Sequence, residues 1–592
     1  MSQFTNEIEE IFSKGGLLSK LPDFEFRKSQ QDMAAAVADS LENHSHLIIE
    51  APTGIGKSYA YLIPSIIYSL NCAKPLADGD SDTTEGKQSV NKRKAIISTC
   101  TINLQEQLIK KDIPVLQKLL PYDFKPEILK GRMNYICTRR LNHALLKKES
   151  LFVTEEVEQL QKIYNFVQKE NKGTIQDIPF KIEENIWSQI FAEEGICSSK
   201  SCGSGDDTNC FYQKAKVRLK NADLIILNHY LFFTIFGLFD KEGSGYIYAD
   251  DFVIFDEAHQ IEQIAAENVS PSVSKEQIKF WLHKLYNPSK EKGFLVDKRF
   301  YKLTKLIISL LAENDFFFHE VEDYTFTKYQ NKRNNKVIRI REPISVHSAF
   351  EMRLKELAKE LMLIKSAAKN DDEENEIKNY YNRLNAFSNT IHEFVNQSFE
   401  DHVYWVEVAR GYRKNTKLCT SPINMSEFFR ENIFNEKGPA IMTSATLSVN
   451  RSLDYFKNSI GAENADDVML ESSFDYGRQM KIYISKNIPE PKQNKIESIS
   501  EYFDDSDYET SLKKNIRDGI TKTNGGALVL FTNTKLMKKM YNKVREDFRG
   551  EDIMFYAQGE GLPKTMLLKE FKDNSNSVLF GVDSFWMGIN ES

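Results

Sequence analysis

The sequence predicts an α/β protein of several domains, and three observations carry that expectation. The segment His46–Glu50 is an apolar strand that runs into a Gly-containing loop and then into a helix from Lys57. Residues 222–229 and 252–256 are short, nearly continuous apolar runs, the pattern of parallel strands buried on both faces. At 592 residues the chain is also too long for one hydrophobic core.

In chain order, a helix is expected from Ser29 to about Glu42, ahead of the strand at 46–50. The polar, charged stretch 78–94 reads as a surface excursion before the strand Ala95–Ser98, and a helix follows from Asn103 to about Lys111. From about 130 to 220, charged helical segments interrupted by the loop 195–210 read as an insertion. Residues 270–400 are rich in Lys, Glu, Leu and Phe at helical spacing, including Met352–Lys369 and Glu374–Phe394, and read as a second, helical insertion with few strand signals. Strand patterns return at 404–408, 440–443, 526–532 and 578–581, so a second α/β domain is expected to begin near 450.

A hydrophobic content of 41% with 28% charged residues is that of an ordinary soluble chain. No apolar run approaches the roughly 18 residues a membrane span needs, and the acidic, polar start MSQFTNEIEEIFSK is unlike a secretory leader, so a cytoplasmic protein without membrane contact is expected. A net charge of −7 argues against a nucleic-acid binder that is basic throughout, but not against a motor with a local basic groove. Seven cysteines are too few for a secreted disulfide scaffold. Cys72, Cys100 and Cys419 stand alone, whereas Cys197, Cys202 and Cys210 cluster.

The strand–loop–helix around Glu50-Ala-Pro-Thr-Gly-Ile-Gly-Lys-Ser58 has the context of a phosphate-binding loop, although Ala51 stands where the strict pattern has Gly. Gly54 and Gly56 let the backbone of Thr53, Gly54, Ile55 and Gly56 curl its N–H groups toward phosphates. Lys57 suits the β and γ phosphates of ATP, and the Ser58 hydroxyl suits Mg²⁺. Phe252-Val-Ile-Phe-Asp-Glu-Ala-His259 ends a strand on two carboxylates, Asp256 for Mg²⁺ and Glu257 to orient or deprotonate water. Lys57, Asp256 and Glu257 are therefore the candidate catalytic set. Cys137 with Cys197-x4-Cys202-x7-Cys210 offers four thiolates, which by spacing suit either Zn²⁺ or a [4Fe–4S] cluster.

The order of these segments resembles the DinG/XPD-like iron–sulfur DNA helicases of superfamily 2 over most of the chain. Phe26-Arg-Lys-Ser-Gln30 looks like the family's adenine-recognition segment, with Arg27 and Gln30 as the matching residues. Ser98–Gln107 looks like the motif that touches the DNA backbone, which implies contacts from Thr99 and Thr101. Asp256–His259 is a DEAH box, and Thr443-Ser-Ala-Thr-Leu447 matches the motif that couples hydrolysis to domain motion, implying coupling roles for His259, Ser444 and Thr446. Residues 524–534 and 578–590 resemble motifs of a second RecA-like domain.

The resemblance implies two RecA-like domains, the second incomplete, with an inserted iron–sulfur domain and a helical arch. The expected boundaries are 1–115, 221–269 and 431–449 for the first RecA-like domain, 116–220 for the cluster domain, 270–430 for the arch and 450–592 for the second RecA-like domain. It favours [4Fe–4S] over zinc at Cys137, Cys197, Cys202 and Cys210, and implies a pore for single-stranded DNA in which Tyr135, Phe211 and Tyr212 serve either as base platforms or as packing around the cluster. The function it implies is ATP-dependent unwinding of forked or structured DNA with 5′→3′ movement, in repair or replication. Met587 and Asn590 replace two acids of the family pattern, and the sequence stops at Ser592 before the final helicase motif. Those departures keep open a relative that binds ATP and DNA without unwinding. The first domain begins within about 25 residues of Met1, which leaves no room for the amino-terminal exonuclease domain of some relatives.

Overall fold

The computed structural model describes residues 2–71, 93–146, 154–170, 173–192, 202, 209–242, 251–289, 291, 293–296, 300–329, 337–346, 349–368, 371–409, 415–435, 438–486, 488–490, 507–560, 564–582 and 585. Two compact units divide the chain, Met1–Ser473 and Phe474–Ser592. Cys197, Met587 and Asn590 lie outside the described residues.

The strands of the first unit are β1 (Leu47–Glu50), β2 (Ala95–Thr99), β3 (Pro126–Ile128), β4 (Leu224–Asn228) and β5 (Phe252–Asp256), then β6 (Ser272–Ser274), β7 (Val337–Ile340), β8 (His402–Ala409) and β9 (Asn415–Pro422), and finally β10 (Ala440–Ser444) and β11 (Asp466–Met469). Seven of them form one parallel sheet in the order β11-β1-β10-β5-β2-β4-β3. Alternate residues feed two cores. Leu47, Ile49, Ile97, Ile226 and Ile254 pack under the helices Lys28–Glu42 and Lys57–Asn71, while Ile48, Ile96, Ile225, Val253 and Met442 pack on the opposite face. A strand buried on both faces must be apolar at every position, which is why these runs lack alternation.

The segment read as a helical arch, with a strand expected at 404–408, contains an antiparallel sheet, β6-β9-β8-β7, beside the helices Tyr301–Lys328, Phe350–Leu363 and Asp371–Asn396. Its strands alternate, with Tyr404, Val406 and Leu418 buried in a separate core together with Phe317, Phe350 and Phe394. Residues 450–473 belong to the first unit rather than to a second domain beginning near 450, because β11 pairs in parallel with β1. In the second unit, β12 (Ala527–Phe531), β13 (Met554–Ala557) and β14 (Ser577–Val582) form a parallel sheet in the order β12-β14-β13, with the helix Thr534–Asp547 packed on it. Among the described residues no helix is long and apolar enough to cross a membrane.

Candidate functional site

In open parallel sheets the carboxyl ends of the strands frame the site. Register sets Glu50 of β1 opposite Ser444 of β10, and Thr443 opposite Asp256 of β5, so these residues share one edge. From the end of β1 the chain turns through Gly54 and Gly56, both at φ 85°, a left-handed conformation that glycine adopts without strain. Ile55 between them is fully buried and pins the loop to the core. The helix Lys57–Asn71 starts immediately afterwards, leaving N-terminal N–H groups at the loop.

Two side chains hold this loop from outside. Gln30 Nε2 donates to the Gly56 carbonyl at 3.0 Å, and Arg27 Nη1 donates to the Gly54 carbonyl. Beside them lies a cavity of about 380 Å³ lined by residues including Phe24, Arg27, Gln30, Gly56, Tyr59 and Lys111.

Lys57 Nζ donates to the Ala51 carbonyl at 3.3 Å and lies 3.8 Å from Glu257 Oε1. Asp256 ends β5 with its Oδ1 accepting from the Glu257 N–H and its Oδ2 from the Tyr61 hydroxyl, both at 3.1 Å. Burial, followed by the charge of Glu257, pushes the Asp256 carboxyl up to about 6. Glu257 sits at φ 58°, a left-handed conformation uncommon for a residue with a side chain. Burial alone would raise its carboxyl, but the hydrogen bond from His259 and the charge of Lys57 hold it below the ordinary carboxylate value.

His259 Nδ1 and Ser444 Oγ are 2.8 Å apart, and the Thr446 N–H reaches the same oxygen at 3.5 Å. Glu50 closes the edge by accepting from the Leu447 N–H at 2.6 Å and the Ser448 hydroxyl at 2.8 Å. The structure thus brings Arg27, Gln30, the loop 53–58, Asp256, Glu257, His259 and Ser444 to one edge. This arrangement can take a polyphosphate on N–H groups and Lys57, a divalent cation at Ser58 and Asp256, and a water molecule at Glu257.

The two threonines read as DNA contacts differ in placement. Thr99 is fully buried, its hydroxyl donating to the Thr101 carbonyl at 3.2 Å, so it offers no side-chain surface for a nucleic acid. Thr101 is partly exposed and caps the helix Ile102–Gln107 by accepting from the Leu104 N–H. Beneath them Ser98 Oγ lies 2.7 Å from Nδ1 of the fully buried His229.

Cys137 and Cys210 are buried and Cys202 is half-buried, in one apolar cluster with Tyr135, Ala192, Tyr212 and Ala215. Burial pushes the Cys137 thiol up, and the neighbouring Cys202 and Cys210 push in the same direction. Among the described residues no three His, Cys, Asp or Glu side chains form a ready metal group, and the fourth cysteine, Cys197, is not described. Tyr135 and Tyr212 are packed edge to face at 5.4 Å and nearly inaccessible, so in this structure they are packing around the thiols rather than base platforms. The Phe211 ring abuts Gly173, where an added Cβ would fall 2.1 Å from it.

The DEAD_2 family model matches residues 105–278, and the helicase C-terminal domain model matches 516–592. The chain is similar to the ATP-dependent DNA helicase YoaA of Haemophilus influenzae, at 26% identity over 99% of this chain and 83% of that protein. It is similar also to the protein named 3′-5′ exonuclease DinG of Bacillus subtilis, at 25% identity over 99% of this chain but only 63% of that one. The two family models and these relatives support a DinG/XPD-like helicase of superfamily 2. Among solved structures an XPD helicase aligns over 94% of this chain and 80% of that one, with a TM-score of 0.44 at 15% identity, and S. tokodaii Xpd4 over the same shares, with 0.48 at 10%.

Sequence reading of this chain missed Tyr61, Glu50 and His229. Tyr61 follows Lys57 by one helical turn, a spacing that could have marked it as facing the same edge. Glu50 adjoins the loop in sequence, but its partners Leu447 and Ser448 do not, and His229 carries no local signal, since long-range packing sets it beside Ser98.

Proposed function

We propose that this chain is an ATP-dependent DNA helicase that moves along single-stranded DNA and opens forked or structured DNA in repair or replication. The observation that carries the reading is the meeting of Lys57 with Glu257, 3.8 Å apart, from two different strand ends, with Asp256 beside them. The N–H groups of Thr53, Gly54, Ile55 and Gly56 receive the phosphates, Lys57 pairs with the β and γ oxygens, and Arg27 and Gln30 border the pocket for adenine. Mg²⁺, held by Ser58 and Asp256, would spread the charge of the β and γ phosphates. Glu257, kept ionised by Lys57 and His259, aligns the attacking water and takes its proton. His259, Ser444 and Thr446 pass the state of that carboxylate to the strand end of β10, and the segment around Thr101 meets the DNA backbone.

The three described cysteines share one apolar pocket, and soft ligands of that kind suit an iron–sulfur cluster. With Cys197, they would hold [4Fe–4S] as a rigid strand-parting element. Movement 5′→3′ and a cytoplasmic location belong to the same reading.

The test is ATP hydrolysis by the 592-residue chain with and without single-stranded DNA, with Lys57→Ala as the blank. Stimulation by DNA that Lys57→Ala abolishes is the expected result. Turnover equal to the blank overturns the assignment of motor activity to this chain.

A further inference from the structure

The strand β1 is apolar and buried up to its last residue, the half-buried Glu50. A carboxylate at the end of a strand buried on both faces has no packing role, so hydrogen bonds must offset the cost of placing it there. Glu50 Oε2 accepts from the N–H groups of Leu447 at 2.6 Å and Ser448 at 2.5 Å, and its Oε1 accepts from the Ser448 hydroxyl at 2.8 Å. Burial alone would raise its carboxyl, but the two N–H bonds hold it below the ordinary value. The acceptor is therefore an anion, and bonds to an ionised acceptor are roughly twice as strong as neutral ones.

The segment that these bonds hold has no ladder of its own. β10 ends at Ser444, and residues 445–448 belong to no helix or strand, so their N–H groups need partners from elsewhere. Glu50 satisfies two of them. Its neighbour Ala51 holds the other end: the Ala51 N–H donates to the Ser444 carbonyl at 2.8 Å, while the Ala51 carbonyl accepts from Lys57 Nζ at 3.3 Å. Two consecutive residues at the root of the phosphate loop thus grip both ends of 444–448. The Ser444 hydroxyl at the head of that segment lies 2.8 Å from His259 Nδ1 and 3.4 Å from Glu257 Oε2.

We propose that Glu50 is a positioning residue for ATP hydrolysis: with the Ala51 N–H, its carboxylate fixes the segment 444–448 against the root of the phosphate loop and so holds the Ser444 hydroxyl on His259 and Glu257. This rests on the reading of Lys57 as the phosphate lysine and of Glu257 as the residue that activates water. Lys57 and Ser444 then meet through one residue, Ala51, so a displacement of the phosphate loop reaches the group around Glu257 without passing through the cation site.

The experiment reads the turnover and KM of ATP hydrolysis by the full chain with saturating single-stranded DNA, and its affinity for a fluorescent ATP analogue. The proteins are wild type, Glu50→Met, Glu50→Gln, Ser444→Ala and the double variant Glu50→Met/Ser444→Ala. Glu50→Met fills a similar space but accepts no such bond, and should lower turnover by roughly 2- to 10-fold, as far as Ser444→Ala does, with KM and affinity within about twofold of wild type. Glu50→Gln, whose oxygen can take both N–H groups and whose amide can donate to the Ser448 hydroxyl, should recover most of the turnover. The double variant should be no slower than the slower single variant, because both act on one hydroxyl. The proposal is overturned if Glu50→Met turns over at the wild-type rate, if the two substitutions multiply, or if affinity for the analogue falls as it does in Lys57→Ala. That last result would make Glu50 a brace of the phosphate loop itself. Should Glu50→Met not fold, Ser448→Ala removes the hydroxyl bond alone: a fall of about twofold that vanishes in the Ser444→Ala background supports the proposal, and an unchanged rate or a multiplied loss overturns it. Wild type with no turnover above Lys57→Ala overturns the reading of the site, and the proposal with it.

Discussion

His259 Nδ1 lies 2.8 Å from Ser444 Oγ, so the turn after β5 is tied directly to the last residue of β10. The same serine hydroxyl reaches Glu257 Oε2 at 3.4 Å, and His259 Nδ1 stands 3.4 Å from that oxygen. Three side chains from two strands therefore share one polar node at the carboxylate that the proposed mechanism uses. Ser444→Ala removes the short contact with His259 and the long one with Glu257, a loss of about 0.5–1.5 kcal/mol. The expected outcome is a fall of roughly 2- to 10-fold in the turnover of DNA-stimulated ATP hydrolysis with KM unchanged. A raised KM at wild-type turnover would assign the node to binding instead.

Glu257→Gln keeps the shape of the side chain and an oxygen for His259, but takes away the base. Nucleotide affinity should stay near wild type while steady-state hydrolysis falls by about 10²–10⁴, the range for loss of a general base. Equilibrium binding beside turnover checks this, and retained turnover would show that Glu257 does not activate water.

At Gly56 two costs coincide. An added Cβ would lie 2.2 Å from Gln30 Nε2, and φ is +85°, where a side chain is strained. Gly56→Ala should destabilise the first unit by roughly 1–3 kcal/mol and abolish tight nucleotide binding. Adding Gln30→Ala relieves the clash but not the backbone strain, so thermal unfolding of the double variant should recover only in part. Full recovery would mean that the conformation of the loop is not what glycine secures.

Much of the main sheet was legible because strands buried on both faces must be apolar at each position, as in Phe252–Phe255, and because glycine beside Lys57 marks a strand-to-helix turn. β11 was not legible: its residues Asp466, Asp467, Val468 and Met469 carry no strand pattern and are held by pairing with β1. In the sheet of the arch only β8 was legible, at 404–408, because its partners come from distant parts of the chain, with the three-residue β6 at Ser272–Ser274 pairing to Lys417–Cys419. In the site, Lys57, Asp256 and Glu257 have sequence signatures, whereas the helix expected at 103–111 runs on through a π turn to Leu119. Thr99 shows the converse, a motif residue whose side chain the fold buries.

The thiol cluster makes a compositional prediction. Purified without oxygen, the chain should carry about four iron atoms and matching acid-labile sulfide, and Cys210→Ser should lose both. Stoichiometric zinc with no sulfide would replace the cluster by a structural zinc site.

His229 gives a pH dependence with a definite sign. It is fully buried, its Nδ1 2.7 Å from Ser98 Oγ, and burial pushes its pKa down to about 4. In the unfolded chain a histidine titrates near 6.5. Between those values the unfolded chain binds the extra proton, so stability is fully present above about 6.5 and is lost as pH falls toward 4, at about 1.4 kcal/mol per unit. His229→Gln removes the titration while leaving a polar group for Ser98. Hydrogen exchange of the β2 and β4 amides at pH 7.5 and 5.5, corrected for intrinsic rates, should show wild type losing roughly 1.4 kcal/mol more protection than the variant. Equal losses in both proteins would mean that the imidazole is not held neutral by the core, and that the Ser98–His229 pair is not the fixed floor beneath the Thr99–Thr101 loop.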